Sequence, residues 1–489
     1  MDSLRRLVAF LAAVLTPLVS AGAATAQPVQ RPPDAEVTAA LQTYLTGRES
    51  EGFSGVVLVA RGDTVLLERG YGFLEAGHTA RVTPDSVFTT GSITKQFTAA
   101  AILKLEMQGK LSTGDRLSAR LPGVPEDKRD ITLHHLLTHT AGLPPASGDD
   151  LDPIARDSFV RLVLGRPLEG PIGRFKYSNV GYSLLAAVIE RVSGQPYETY
   201  LAEQLFGPAG MRETGYARPA WPAARLARAV NDDGTDRGTF GETAMPNGTP
   251  GWHLLGNGGI LSTARDMFRW HQALTGTAVL DEAEKAKLFR GWVDEGGGSF
   301  YGYGWSTEDT PFGRLITHNG GNRYFFADFL RYTDTGVIVY YTTNSRGPAM
   351  HRLARPLAQI AHTGRVLGDR SARTFTQVPA GSAGERLARV FLETVSADTA
   401  TRRARVPQIF SAGLIERRGA DALVGFFDRV KGDLGGAAPS AIEESRGPDG
   451  VLQAVRLRFS GPAGGLNLIL LIAPGPEPTV DAVELEAGA

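Results

Sequence analysis

At 489 residues the chain is too long for one comfortable hydrophobic core, so two domains are expected. Apolar residues at 42% and charged residues at 21% fit a globular protein, and the absence of cysteine excludes disulfides, thiolate metal sites and a cysteine nucleophile. Lys plus Arg (51) nearly balances Asp plus Glu (52), which speaks against nucleic acid or a polybasic membrane surface as a partner.

The chain opens with Arg5 and Arg6, the apolar run LVAFLAAVLTPLV and then Ala24–Thr25–Ala26. This pattern predicts an export signal over residues 1–26, cut before Gln27 and removed. The rival, a retained anchor, is not expected, because the run is short for a bilayer and broken by Pro17. A periplasmic or secreted protein follows, with no stable membrane insertion after the cut. DAEVTAALQTYLTG has helical spacing, and SGVVLVARGDTVLLERGYG reads as two strands turning at Gly62–Asp63. A helix is predicted over Ser92–Gln108, with Phe97, Ala100, Ile102, Leu103 and Met107 offered to a core. Further helices are expected at Leu133–Thr138, Ile154–Leu164, Val180–Val192 and Thr263–Ala273. The period becomes strand-like around LITHNGGNRYFFADFLRYTDTGVIVYYTTNS, with a hairpin turn at Asp334–Thr335–Gly336. Strands at both ends with helices between predict an α+β unit over residues 27–365, an antiparallel sheet flanked by helices with an all-helical subdomain. MHRLARPLAQIAHTG closes it as a final helix, and residues 366–380 read as a linker. Residues 381–489 then predict a small α+β C-terminal domain, two helices followed by a meander of four strands.

Three short pieces carry chemistry. In SITK, Ser92 and Lys95 are three apart, so on a helix they share a face and Lys95 Nζ can lie beside Ser92 Oγ. A helix N-terminus also offers backbone N–H groups to a developing oxyanion. In YSN, Tyr177 and Asn179 are two apart and point the same way if the segment is extended. In HNGG, His318 precedes Gly320 and Gly321, which let another backbone or a ligand approach a strand closely. Each piece has a plain structural alternative: an N-capping serine with an exposed lysine, an Asn179 helix cap, and a glycine bulge beside a solvated histidine.

In this order, S-x-x-K, Y-x-N and H-x-G, the chain resembles the serine β-lactamases and penicillin-binding DD-peptidases. Tyr177 sets it nearer the class C β-lactamases, the DD-carboxypeptidases and their esterase relatives. ITLHHLLTHTAGLP, LFGPAGMRETGY and GNGGILSTARDMFRW look like landmarks of the same family, and the likeness runs from about Phe53 to Gly364. The resemblance implies that Ser92 is acylated and Lys95 activates it. By the same resemblance Tyr177 shuttles a proton, Asn179 holds Lys95 and a substrate amide, and His318 lines the substrate edge near the tyrosine. It further implies an oxyanion hole at the N–H groups of Ser92 and Gly321, with Gly320 beside them. Histidine where many β-lactamases have lysine favours a peptidase or esterase, with Arg323 a candidate for holding a substrate carboxylate.

His135 and His139 have a zinc-compatible spacing, but no H-E-x-x-H glutamate stands between them, and a structural role is expected. The Gly-rich GNGGILSTARD lacks a P-loop lysine and reads as a tight turn feeding a helix. The sequence therefore predicts an exported serine hydrolase acting on an amide or ester through an acyl-enzyme, on a small-molecule or short-peptide substrate, without metal or cofactor. A carboxylesterase on the same scaffold and a penicillin-binding protein that does not turn over are the alternatives.

Overall fold

A computed structural model of the chain describes residues 31–488 apart from 151, 232, 246–247, 346–351, 366–372, 435–436, 448–449, 460–464 and 474–476. The expected export signal lies outside the described residues. No helix among them is long and apolar enough to cross a membrane.

Eight strands form the main sheet: β1 (Gly55–Arg61), β2 (Thr64–Tyr71), β3 (Val293–Gly296), β4 (Ser299–Tyr301), β5 (Ser306–Thr310), β6 (Gly313–Gly321), β7 (Phe326–Tyr332) and β8 (Val337–Thr343). Their order is β2-β1-β8-β7-β6-β5-β4-β3, and every pairing is antiparallel. Both expected hairpins are present, at the β1–β2 and β7–β8 turns. β1 and β8 are buried along their whole length because both faces of the sheet are covered. The period of two divides their side chains between the faces. Val56, Leu58, Ile338 and Tyr340 join the larger core, whereas Val57, Val59, Val339 and Tyr341 join the smaller.

Six helices frame this sheet: α1 (Asp34–Ser50), α2 (Thr94–Met107), α3 (Asn179–Ser193), α4 (Ala264–Thr275), α5 (Glu282–Leu288) and α6 (Ala354–Thr363). α1 and α6 cover the smaller core, and α2 to α5 lie in or around the larger. α2 is buried on nearly every side in the larger core, and it takes the polar Thr94, Lys95, Gln96 and Thr98 of its first turns inside with its apolar residues. Of the residues expected to feed that core only Met107, in its last turn, is exposed instead. The arrangement is the expected α+β one, an antiparallel sheet flanked by helices.

Residues 376–488 build a second sheet from β9 (Thr376–Gln377), β10 (Ala441–Arg446), β11 (Leu452–Phe459), β12 (Gly465–Ile472) and β13 (Val480–Gly488), paired in chain order. Helices α7 (Ala383–Ser396), α8 (Thr399–Ile409), α9 (Ala412–Arg418) and α10 (Ala420–Leu434) accompany it. Phe391, Phe410 and Phe427 anchor a separate apolar cluster there. Two features differ from expectation. The stretch read as a linker supplies the edge strand β9, which pairs with Glu443 and Glu444. The polar α8, with Pro407 inside it, and the short α9 had no clear apolar period to announce them.

Candidate active site

Ser92 lies in a single 3-10 turn, Gly91–Ile93, that runs directly into α2. This places Lys95 one turn further on the same face, as the spacing requires. Lys95 is fully buried. Its Nζ donates to Ser92 Oγ at 3.1 Å, to Asn179 Oδ1 at 2.8 Å and to the Asn257 carbonyl at 2.7 Å. It also lies 4.9 Å from the centre of the Tyr177 ring. Burial draws its pKa from 10.5 down to about 7, with the Asp150 carboxylate pulling weakly the other way.

The Tyr177 phenol is pushed well up by burial, against a hydrogen bond with Ser92, so it remains protonated at neutral pH. Asn179 opens α3 but does not cap it. The cap is Ser178, whose Oγ accepts from the Gly181 N–H at 3.4 Å and donates to the Pro144 carbonyl at 2.7 Å. With the cap supplied by its neighbour, the Asn179 amide is left to face Lys95.

The third piece enters from the sheet. Gly320 and Gly321 end β6 and press against the turn that carries Ser92. A Cβ on Gly320 would sit 2.1 Å from the Thr90 carbonyl oxygen and 2.5 Å from Ser92 N; one on Gly91, at φ +53°, would sit 2.6 Å from Gly321 N. Only glycine permits this approach, which holds the end of β6 against the turn that carries Ser92. His318 stands behind that wall, 7% exposed. Its Nδ1 meets the Asn319 carbonyl at 2.5 Å, so Nε2 accepts from the Tyr301 hydroxyl at 3.0 Å. Its ring centre is 6.4 Å from that of Tyr177. Burial and the nearby Lys95 lower its pKa to about 3, so it is neutral at physiological pH. Gly321, Asn322 and Arg323, which follow it in the chain, line the neighbouring cavity.

That cavity, about 310 Å³, has Ser92 and Asn179 in its lining. Arg237 and Arg323 flank the Tyr324 ring at 4.9 and 5.8 Å on one side. Asp149 and Asp150 contribute the carboxylates. Removal from water and the Asp149 charge raise the Asp150 carboxyl, while Lys95 draws it down.

Several participants escaped the sequence reading. Asn257 reads in the sequence only as part of a glycine-rich turn, yet its carbonyl accepts a hydrogen bond from Lys95 Nζ while its side-chain amide donates to Ser183 Oγ and the His253 carbonyl. His139, at φ +58°, sits among Tyr177, Tyr182 and Tyr301 in tilted ring contacts, with ring centres 4.2, 5.0 and 4.7 Å away. Its Nδ1 accepts the Ser178 N–H at 3.1 Å, which holds the segment that leads from Tyr177 into α3 at Asn179. His135 closes a capping box with Thr132. Both histidines of the zinc-like spacing therefore have structural partners.

A serine hydroxyl against a buried, low-pKa lysine, at the head of a central helix beside an antiparallel sheet, defines a serine hydrolase of the transpeptidase-like fold. The Beta-lactamase family model matches residues 37–363. The chain belongs to that family, and it is a serine hydrolase. It is 30% identical over 331 residues to penicillin-binding protein 4* of Bacillus subtilis, covering 62% of this chain and 71% of that one. It is also 30% identical over 237 residues to the D-alanyl-D-alanine-carboxypeptidase/endopeptidase AmpH of Escherichia coli, across 45% of this chain and 57% of AmpH. The crystal structure of a penicillin-binding protein from Bacillus halodurans superposes with a TM-score of 0.56 at 28% identity, over 64% of this chain and 98% of that one.

Proposed function

We propose that the protein is exported and hydrolyses amides or esters of the D-amino-acid peptide or β-lactam kind through an acyl-enzyme on Ser92. One observation carries this reading: the set of partners around Lys95 Nζ. Asn179 Oδ1 and the Asn257 carbonyl can only accept, so a neutral amine gives both its protons to them. Its lone pair is then left for Ser92 Oγ, the one partner that carries a proton.

The steps follow from that arrangement. Ser92 Oγ attacks the substrate carbonyl while its proton passes to Lys95. The oxygen of the tetrahedral intermediate takes the N–H groups of Ser92 and Gly321, each donor worth about 3 kcal/mol. Tyr177, protonated and bonded to Ser92, gives its proton to the leaving amine or alcohol and recovers one from Lys95. Water then repeats the sequence in reverse roles, releasing the acid and free Ser92. Arg237 and Arg323 supply a positive wall suited to a substrate carboxylate.

A second reading, a carboxylesterase, is favoured by the neutral His318, which puts no cation at the head of the third motif. Purified mature protein assayed on nitrocefin, a D-Ala-D-Ala peptide, a D-amino-acid amide and p-nitrophenyl esters separates the two. Peptide or β-lactam turnover supports the first reading, and activity confined to short esters supports the second. Stoichiometric acylation that then stops would show a protein that does not turn over. Ser92→Ala should take up no acyl label; label retained by that variant would remove Ser92 from the mechanism. Export is tested by N-terminal sequencing of the secreted protein, expected to begin at Gln27.

A further inference from the structure

A second cavity, about 680 Å³, opens at the other end of the sheet from Ser92. β6 connects the two: Arg314 and Ile316, near its start, line this cavity, and Gly321 at its end lines the catalytic one. The lining contains Lys285, Arg290, Arg314 and Arg331 but a single carboxylate, Glu282, which is held by Lys285 at 2.5 Å. His271 adds no charge: burial and the adjacent Arg331 lower its pKa to about 3. Three arginines are thus gathered with no acid of their own in the cavity wall.

Arg331 is the unusual member. It is 4% exposed, on β7, and among the described residues no carboxylate is paired with it. Its Nε donates to His271 Nδ1 at 3.0 Å, and its guanidinium lies over Phe289 at 4.9 Å and Trp305 at 5.5 Å. Nη1 is buried without a hydrogen-bond partner, and so is Nε1 of the adjoining Trp305. Buried N–H groups and buried charges are normally satisfied, and leaving a cation without either an acid or its full set of acceptors is costly. Ring faces stabilise a guanidinium without neutralising it. Arg314 spends one N–H on the Phe289 carbonyl at 2.8 Å, and Arg290 stacks on Trp292 at 4.2 Å. Both keep planar donor edges for an incoming ligand.

We propose that this cavity binds a phosphate-type oxyanion, with Arg331 at its floor and Arg290 and Arg314 at its mouth. Forked guanidinium donors from two strands and the turn after α5 suit an acceptor with several oxygens better than a spherical halide. The volume leaves room for an organic group on the phosphate. The site is separate from the catalytic cavity and uses none of its residues.

The test uses the full mature protein and inorganic phosphate, set against chloride at matched ionic strength, with Tm and tryptophan fluorescence as readouts. Phosphate should raise Tm in a saturable way and perturb the emission of Trp292 and Trp305. The double variant Arg290→Ala/Arg314→Ala changes two exposed side chains, so its folding is not at stake. It should lose at least about tenfold in phosphate affinity, or about 1.4 kcal/mol, and keep its hydrolytic rate on a p-nitrophenyl ester. Equal stabilisation by chloride would overturn the proposal, as would an unchanged phosphate response in the double variant. Arg331→Gln should abolish saturation altogether; if that variant does not fold, the double variant decides.

Discussion

Lys95 and Arg331 are both cations removed from water, and among the described residues neither touches a carboxylate directly. Burial lowers Lys95 to about 7 and Arg331 to about 9. The outcome differs because the starting points differ. The amine reaches the range in which it can shed its proton and become a base, and its three partners are arranged to let it do so. The guanidinium starts too high to be discharged at neutral pH, so it stays a cation braced by two rings and a neutral imidazole. The same desolvation makes a reactive group at one end of the sheet and an anion-seeking group at the other.

The comparison breaks most directly if the two cations are made alike. Lys95→Arg places a permanent charge beside Ser92, and kcat/KM should fall by about 10⁴, read from steady-state ester hydrolysis, with the fold intact by circular dichroism. Gly320→Ala comes next: its Cβ would force the strand away from Thr90 and Ser92, and loss of the shared amide site should lower kcat by about 10² to 10³.

Protons sharpen the contrast. Activity should rise with pH along a limb with its midpoint near 7, as Lys95 becomes neutral, and His318, near 3, should leave no mark in that range. Stability carries the same signature. Between about 7 and 10.5 the unfolded chain binds the proton that folded Lys95 has lost, so wild type should gain about 1.4 kcal/mol per pH unit relative to Lys95→Met. Below 7 the penalty for burying the ammonium is fully present and the difference should be flat; urea unfolding at several pH values measures it. Arg331→Met should show no such slope between pH 6 and 8, only a uniform change of about 1–3 kcal/mol in either direction. The smallest effect is expected from Asp150→Asn. Removing a charge that holds the Lys95 proton should move the activity limb to lower pH.

What could be read from the sequence was what is local. Ser92 and Lys95 meet because one helical turn brings them together, and the β1–β2 and β7–β8 hairpins close at the turns their residues announce. The three motifs, taken in order, also marked the family. What could not be read depends on distant segments meeting. Asn257 reaches Lys95 across 162 residues, and Tyr301 reaches His318 from another strand. Burial likewise decided that His318 is enclosed, because a glycine pair beside a histidine does not say which of the three will be exposed. α8 was missed for a different reason: its charged residues and Pro407 leave too little apolar periodicity, and its neighbours hold it in place.

The pairing of β1 with β8 joins Gly55 to Thr343 at one end and Arg61 to Val337 at the other. A strand made early in synthesis thus waits for one made hundreds of residues later, and closing so large a loop is slow. Until Thr343 has emerged, the nascent chain holds β1 with an unmatched border and offers its valines to any sticky neighbour. The Ser92 turn is translated long before the strands that enclose it, so a prematurely terminated product would lack the finished site as well as being prone to aggregate.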